Sequence, residues 1–193
     1  MTDRLSSQFA FLDEIDRLKA IERATPIGDN SRPENSAEHS WHIAMYALVL
    51  ADHAGPEVDI SRVIKMLLLH DIVEIDAGDM PIHMTHDAEA HAVKEAAAAE
   101  RLFGLLPADQ AAEFRAIWTE FEAAESPDAV FAKSLDRVQP LLQNLAVGGG
   151  SWIDYNVTMD HIDTRVGVKV NRGAPRIWQF VRARVAPFFS APR

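Results

Sequence analysis

The sequence predicts an all-α fold, a single bundle of about seven or eight helices. Two observations carry that prediction. Apolar residues recur at helical spacing through most of the chain, and the alternating pattern of a half-buried strand does not recur. Proline, glycine and capping residues fall between the apolar stretches and leave no long linker. With 193 residues, 48% hydrophobic and 25% charged, the chain suits one globular domain over residues 1–193 with a real core.

Phe9, Leu12, Ile15, Leu18 and Ile21 lie on one helical stripe, which Pro26 and Gly28 end. Residues 25–35 are polar and turn-rich and read as a loop. Ser36 is placed to cap a helix running to Gly55 and Pro56. Asp59 or Ser61 opens the next, VIKMLLLHDIVEID, ending near Gly78. Its nearly continuous apolar run marks it as central and buried. Residues 79–86 form a loop before an alanine-rich helix at 87–103. Pro107 suits the first turn of a helix through about residue 123. Ser126 and Pro127 open another, which Pro140 is expected to kink or interrupt. Gly148, Gly149 and Gly150 read as a flexible break, with no strand before them and no lysine after them to make a phosphate loop. Weaker helices are expected at 157–170 and 174–187.

Composition narrows the function. The net charge of −10 disfavours binding to a nucleic-acid polymer but leaves a small anionic substrate open. Without cysteine there is no disulfide, no thiolate metal site and no cysteine nucleophile. The first residues are charged throughout, unlike a secretory signal, and no apolar window approaches the roughly 20 residues of a membrane span. A cytoplasmic protein with no membrane partner is expected.

Four features stand out together. His39 lies in the first turn of the helix begun at Ser36. His70 and Asp71 are adjacent in the most apolar helix. Glu74 follows Asp71 by one turn, so the two carboxylates share a face. Asp136 lies between Leu135 and Val138 in another mostly apolar helix. An isolated buried carboxylate is costly. Asp71 can be paired by an arginine, and Asp136 by Lys133 or Arg137. Two imidazoles and two carboxylates from three helices also make a ligand set for one divalent ion (Mn, Co, Fe, Ni or Zn) with positions left for water and substrate.

The segments RPENSAEHSWHIAMYALVLA, KMLLLHDIVEIDAGD and FAKSLDRVQPLLQN resemble the HD-domain metal-dependent phosphohydrolases, most of all the branch containing the 5′-deoxynucleotidases. The likeness covers nearly the whole chain, with the motif-bearing core at about residues 32–145. It implies that His39, His70, Asp71 and Asp136 hold the metal. Glu74 is then the acid–base residue beside the attacking water, and Asp79 an acidic residue on the substrate side. Arg32 or Arg23 is implied to grip the phosphate. The tryptophan that follows the arginine in the nucleotidase pattern is Ala24 here. The implied activity is release of phosphate from deoxyribonucleoside 5′-monophosphates by metal-activated water, the substrate being a small nucleotide. Other nucleotide phosphoesters, diesters among them, and a non-catalytic metal-stabilised binding module are the competing readings. The resemblance also implies a homodimer. His83 and His86 are the candidates for a second metal, although a single ion is expected.

Overall fold

The computed structural model describes residues 3–84 and 87–190. Helix α1, Arg4–Ile15, tightens into a 3-10 turn at Asp16–Ala20. Strand β1, Glu22–Pro26, pairs antiparallel with β2, Pro33–Asn35, with Glu22 opposite Asn35 and Pro26 opposite Pro33. Helix α2 is Ser36–Val49 and α3 is Ile60–Leu69. A 3-10 turn, His70–Val73, joins α3 to the short α4, Glu74–Ala77. Then come α5, Ala88–Phe103, α6, Ala108–Ala123, and α7, Pro127–Ala146. The chain closes with α8, Ser151–Asp154, α9, Met159–His161, α10, Val168–Gly173, and α11, Pro175–Ser190. A π-helical turn, Ile162–Gly167, links α9 and α10.

The all-α class holds, and Asp59 and Ser126 cap α3 and α7 as their spacing predicts. Four local expectations are corrected. Residues 25–35 contribute to a hairpin instead of a plain loop. Strands this short, one ending and the other beginning in proline, offer no alternation to read. The cap of α2 is Asn35, not Ser36. The Asn35 side chain accepts from the Glu38 amide at 3.0 Å, and Glu38 accepts from the Asn35 amide at 3.2 Å. Helix α7 runs through Pro140 without interruption, packed against α2, α3, α6, α10 and α11, because tertiary contacts override the local cost of the proline. Gly148–Gly150 is a defined reversal: all three glycines have positive φ, and buried Asn144 accepts from the Ser151 amide at 2.8 Å.

Helix α7 is the central element, and the buried residues of the surrounding helices merge with it into one hydrophobic cluster. On α1 the predicted stripe is only partly used. Phe9 and Leu12 are exposed and Phe11, off the stripe, is buried instead; Leu18, in the following 3-10 turn, is buried, and Ile15 and Ile21 pack partly buried against the core. Among the C-terminal aromatics Trp178 is buried, Phe188 and Phe189 pack against Trp152, and Phe180 is exposed. Among the described residues no helix is long and apolar enough to cross a membrane.

Helices α7 and α10 approach closely at Gly173, where a Cβ would stand 2.5 Å from the Val130 carbonyl oxygen. Backbone cannot swing aside as a flexible side chain would. Gly173→Ala is therefore expected to cost about 1–3 kcal/mol, read as a lower urea midpoint at unchanged slope. An unchanged midpoint would show that the two helices separate without loss.

Candidate metal centre

Three segments converge beneath one cleft. The capping box fixes the entry of α2 and so places His39, one turn inside, with no solvent exposure. The 3-10 turn after α3 tightens the chain where His70 and Asp71 fall, and both are buried. Helix α7 brings Asp136 from the opposite side.

One ligating atom from each of His39, His70 and Asp136 lies within 4.8 Å of the other two. His39 Nε2 is 3.0 Å and His70 Nε2 3.8 Å from Asp136 Oδ1. His70 Nδ1 donates to the Leu67 carbonyl at 2.9 Å, which turns Nε2 into the cluster. There Nε2 stands 2.8 Å from Asp71 Oδ1, but off the line of a hydrogen bond, and is left buried without one. A buried nitrogen without a partner, aimed at two carboxylates, is what a ligand atom needs. The electrostatics agree. Burial opposes charge on His70, yet Asp71 and Asp136 raise its pKa to about 10. Burial would raise Asp136, but the hydrogen bond with His39 and the neighbouring His70 imidazole hold it well below the carboxylate range. The pocket thus stabilises positive charge where the imidazoles meet, and the mixed nitrogen and oxygen donors fit a divalent ion.

On the cleft side of this cluster lies Arg23, carried by β1. Its Nη1 is 2.8 Å from Asp71 Oδ2, 3.4 Å from Asp79 Oδ1 and 3.7 Å from Glu74 Oε1. Burial works against its charge, but Asp71, Asp79 and Glu74 together raise its pKa above the ordinary value. Asp71 is pushed up by burial and pulled further down by His70 and Arg23. Burial, and then the charge of Asp71, push Glu74 well above the usual carboxylate range. Asp79 is raised by burial against the pull of Arg23. Glu74 Oε2 accepts a 2.6 Å hydrogen bond from Ser36 Oγ, so the residue expected to cap α2 instead holds this carboxyl group in place.

The cleft has a cavity of about 270 Å³, and its lining includes Arg23, His70, Asp71, Glu74, Asp79 and Asp136. Arg32 is not brought to it: its guanidinium is half exposed and bonded to both Glu38 oxygens, at 2.8 and 2.6 Å. Between the two candidate arginines, the structure places only Arg23 in the cleft. His83 lines the cavity, and burial, with Arg165 nearby, lowers its pKa to about 4. It does not join the His39, His70 and Asp136 group. His86 lies outside the described residues. Sequence reading missed Glu34, Ser36 and Gln139, which support the cluster from behind. The capping-box pattern Asn35-x-x-Glu38 was the available signal that Ser36 stands inside the helix and is free for other work.

The model of the HD domain family matches residues 15–178. A human 5′-deoxynucleotidase (HDDC2) is 31% identical over 139 residues, a match covering 71% of this chain and 66% of that protein. A 5′-deoxynucleotidase from Photorhabdus temperata is 29% identical over 152 residues, covering 74% of this chain and 77% of its own. Among solved structures, one described as a predicted metal-dependent phosphohydrolase from Magnetospirillum magnetotacticum MS-1 is 49% identical, with a TM-score of 0.90. That match covers 98% of this chain and 99% of the other. A protein from Pyrococcus horikoshii OT3, 21% identical with a TM-score of 0.68 over 91% of this chain and 99% of its own, shares the fold. On the family match across most of its length, with His39, His70 and Asp136 gathered at one centre and Asp71 beside His70, this chain belongs to the HD domain family.

Proposed function

We propose that the chain is a metal-dependent phosphohydrolase that releases phosphate from deoxyribonucleoside 5′-monophosphates. The observation that carries this reading is the meeting of His39, His70 and Asp136 at the side of a cleft that also holds Arg23, Glu74 and Asp79. His39, His70, Asp71 and Asp136 are the residues that would hold the ion. A divalent ion held there would supply Lewis acidity toward a phosphoryl oxygen and lower the pKa of a water so that it can serve as the hydroxide nucleophile. Arg23 already neutralises three carboxylates and presents a guanidinium to the cleft, so it grips the non-bridging oxygens of the phosphate. Glu74, whose pKa burial and Asp71 raise well above the usual carboxylate range, exchanges a proton with the attacking water, while Ser36 keeps the carboxyl group oriented. Asp79 lies on the other side of Arg23 and faces the substrate. No covalent intermediate is needed.

A second reading is favoured by the far wall. Arg137 and Lys133 on α7 also line the cavity, and Arg137 has no acidic partner among the described residues. Its Nε is buried without an acceptor. An additional phosphate on the substrate would satisfy it.

The test is phosphate release from ribo- and deoxyribonucleoside 5′-monophosphates, with diphosphates and a cyclic diester alongside, using metal-stripped protein supplied with Mn, Co, Zn or Mg. Ribo- and deoxy-forms are compared because Ala24 follows Arg23. Release from deoxy monophosphates, restored by a transition metal, is the expected result. Turnover confined to the diphosphates or the diester would favour the second reading. Metal uptake with no turnover of any of them would leave a binding module.

A further inference from the structure

We propose that Glu34 is a positioning residue that fixes the orientation and tautomer of His39 at the metal centre; this rests on the reading of His39 as a ligand. Glu34 lies on β2, in the hairpin that also supplies Arg23. It is 2% exposed and makes no ion pair with a lysine or arginine among the described residues. A buried carboxylate in that position is costly unless its surroundings donate to it.

Its partners do so in a defined order. Oε1 accepts from Gln139 Nε2 at 2.8 Å and from Gln143 Nε2 at 3.0 Å. Oε2 lies 3.4 Å from His39 Nδ1 and has no hydrogen-bond partner among the described residues. Because a carboxylate can only accept, the Gln139 amide must turn its NH2 toward Glu34. That leaves Gln139 Oε1 facing His39 Nδ1 at 3.1 Å, and an amide oxygen is also only an acceptor. Nδ1 must therefore carry the proton. With Nδ1–H held in this way, the proton that Nε2 shares with Asp136 Oδ1 at 3.0 Å is the one an ion would displace, leaving the Nε2 lone pair for it where His70 Nε2 and Asp136 Oδ1 converge.

His42 shows how much of this polarity depends on Glu34. Its Nδ1 lies 3.1 Å from Gln139 Nε2, which also meets Gln143 Oε1, so the two hydrogens of that NH2 face Glu34, His42 and Gln143. If the group at position 34 could donate, the Gln139 amide would be free to flip. A flipped amide would offer an NH2 to His39 Nδ1 and favour the tautomer with its proton on Nε2, where no ion can bind.

The test uses Co²⁺ alone as the probe. It is titrated into metal-stripped wild-type protein, Glu34→Gln and Glu34→Ala, followed by its visible absorption and by competition with a chelator. Glu34→Gln keeps the volume, so it remains informative if Glu34→Ala fails to fold. Expected is a roughly 10–100-fold weaker affinity in Glu34→Gln, with the melting temperature of the metal-free protein unchanged. A purely structural role would move the melting temperature and leave the affinity of the folded protein alone. Equal Co²⁺ affinity in Glu34→Gln and the wild type overturns the assignment. A wild-type protein that takes up no Co²⁺ overturns the metal centre and this assignment together.

Discussion

Glu74→Gln is expected to lower turnover by about 10²–10⁴-fold while the protein keeps its metal. Glu74 stands beside the His39, His70 and Asp136 cluster without belonging to it, and its nearest partners are Ser36 Oγ and Arg23 Nη1. Glutamine keeps the shape and can still accept from Ser36, so the cleft stays formed. What it cannot do is exchange a proton. The unaltered residue is suited to that task, because burial and the neighbouring charge of Asp71 lift its pKa far from that of an ordinary surface glutamate. Stability should hold or rise, since a buried acid is removed from beside Asp71 and Asp79. The measurement is kcat on metal-loaded protein together with bound-metal content. Unchanged turnover would remove Glu74 from the mechanism. Loss of metal along with turnover would instead make it part of the ligand set.

Arg23→Met carries the largest expected cost in stability, about 3–5 kcal/mol, because one guanidinium serves two buried carboxylates and the half-buried Asp79. Methionine fills the space and leaves Asp71, Glu74 and Asp79 facing one another. The effect depends on pH in a definite direction. Glu74 and Asp79 already have folded pKa values above those of unfolded carboxylates, through burial first and then, for both, through Asp71. Without Arg23 they rise further. A group whose folded pKa is raised contributes stability that is present below its unfolded pKa and is lost as pH rises through the folded value. The variant should therefore lie closer to the wild type near pH 4 and fall away as pH approaches neutrality. Urea unfolding of both proteins across that range measures it. A gap that widened toward acid, or no gap at neutral pH, would show that Arg23 is not the counter-charge of this cluster. Activity on a phosphate monoester should fall as well, through loss of the phosphate grip.

Much of this centre was legible because its chemistry conflicts with its setting. His70 and Asp71 stand out in the run LLLHDIVEID since charge in an apolar helix demands a partner, and Asp136 stands out for the same reason. Helix ends were legible where a side chain performs the capping, as Asp59 and Ser126 do. The path between Pro26 and Ser36 was not. Two short strands with prolines at their edges carry no periodicity, and their register is set by what they pack upon. Arg23 and Arg32 stand 13 and four residues before α2, and the family resemblance points to Arg32 first. The hairpin turns Arg23 inward to three acids and leaves Arg32 on Glu38 at the surface.

The sequence by itself determined the helical class and the main helices, which follow from local spacing. The cost of burying charge drew attention to its histidines and carboxylates, and the family resemblance singled out those proposed to hold an ion. Only the tertiary structure decided which arginine enters the cleft, that Ser36 holds Glu74, and that Glu34 reaches His39 through Gln139. Each of these is a contact between residues far apart in the chain, where a hydrogen bond forms only once packing has brought donor and acceptor within about 3 Å.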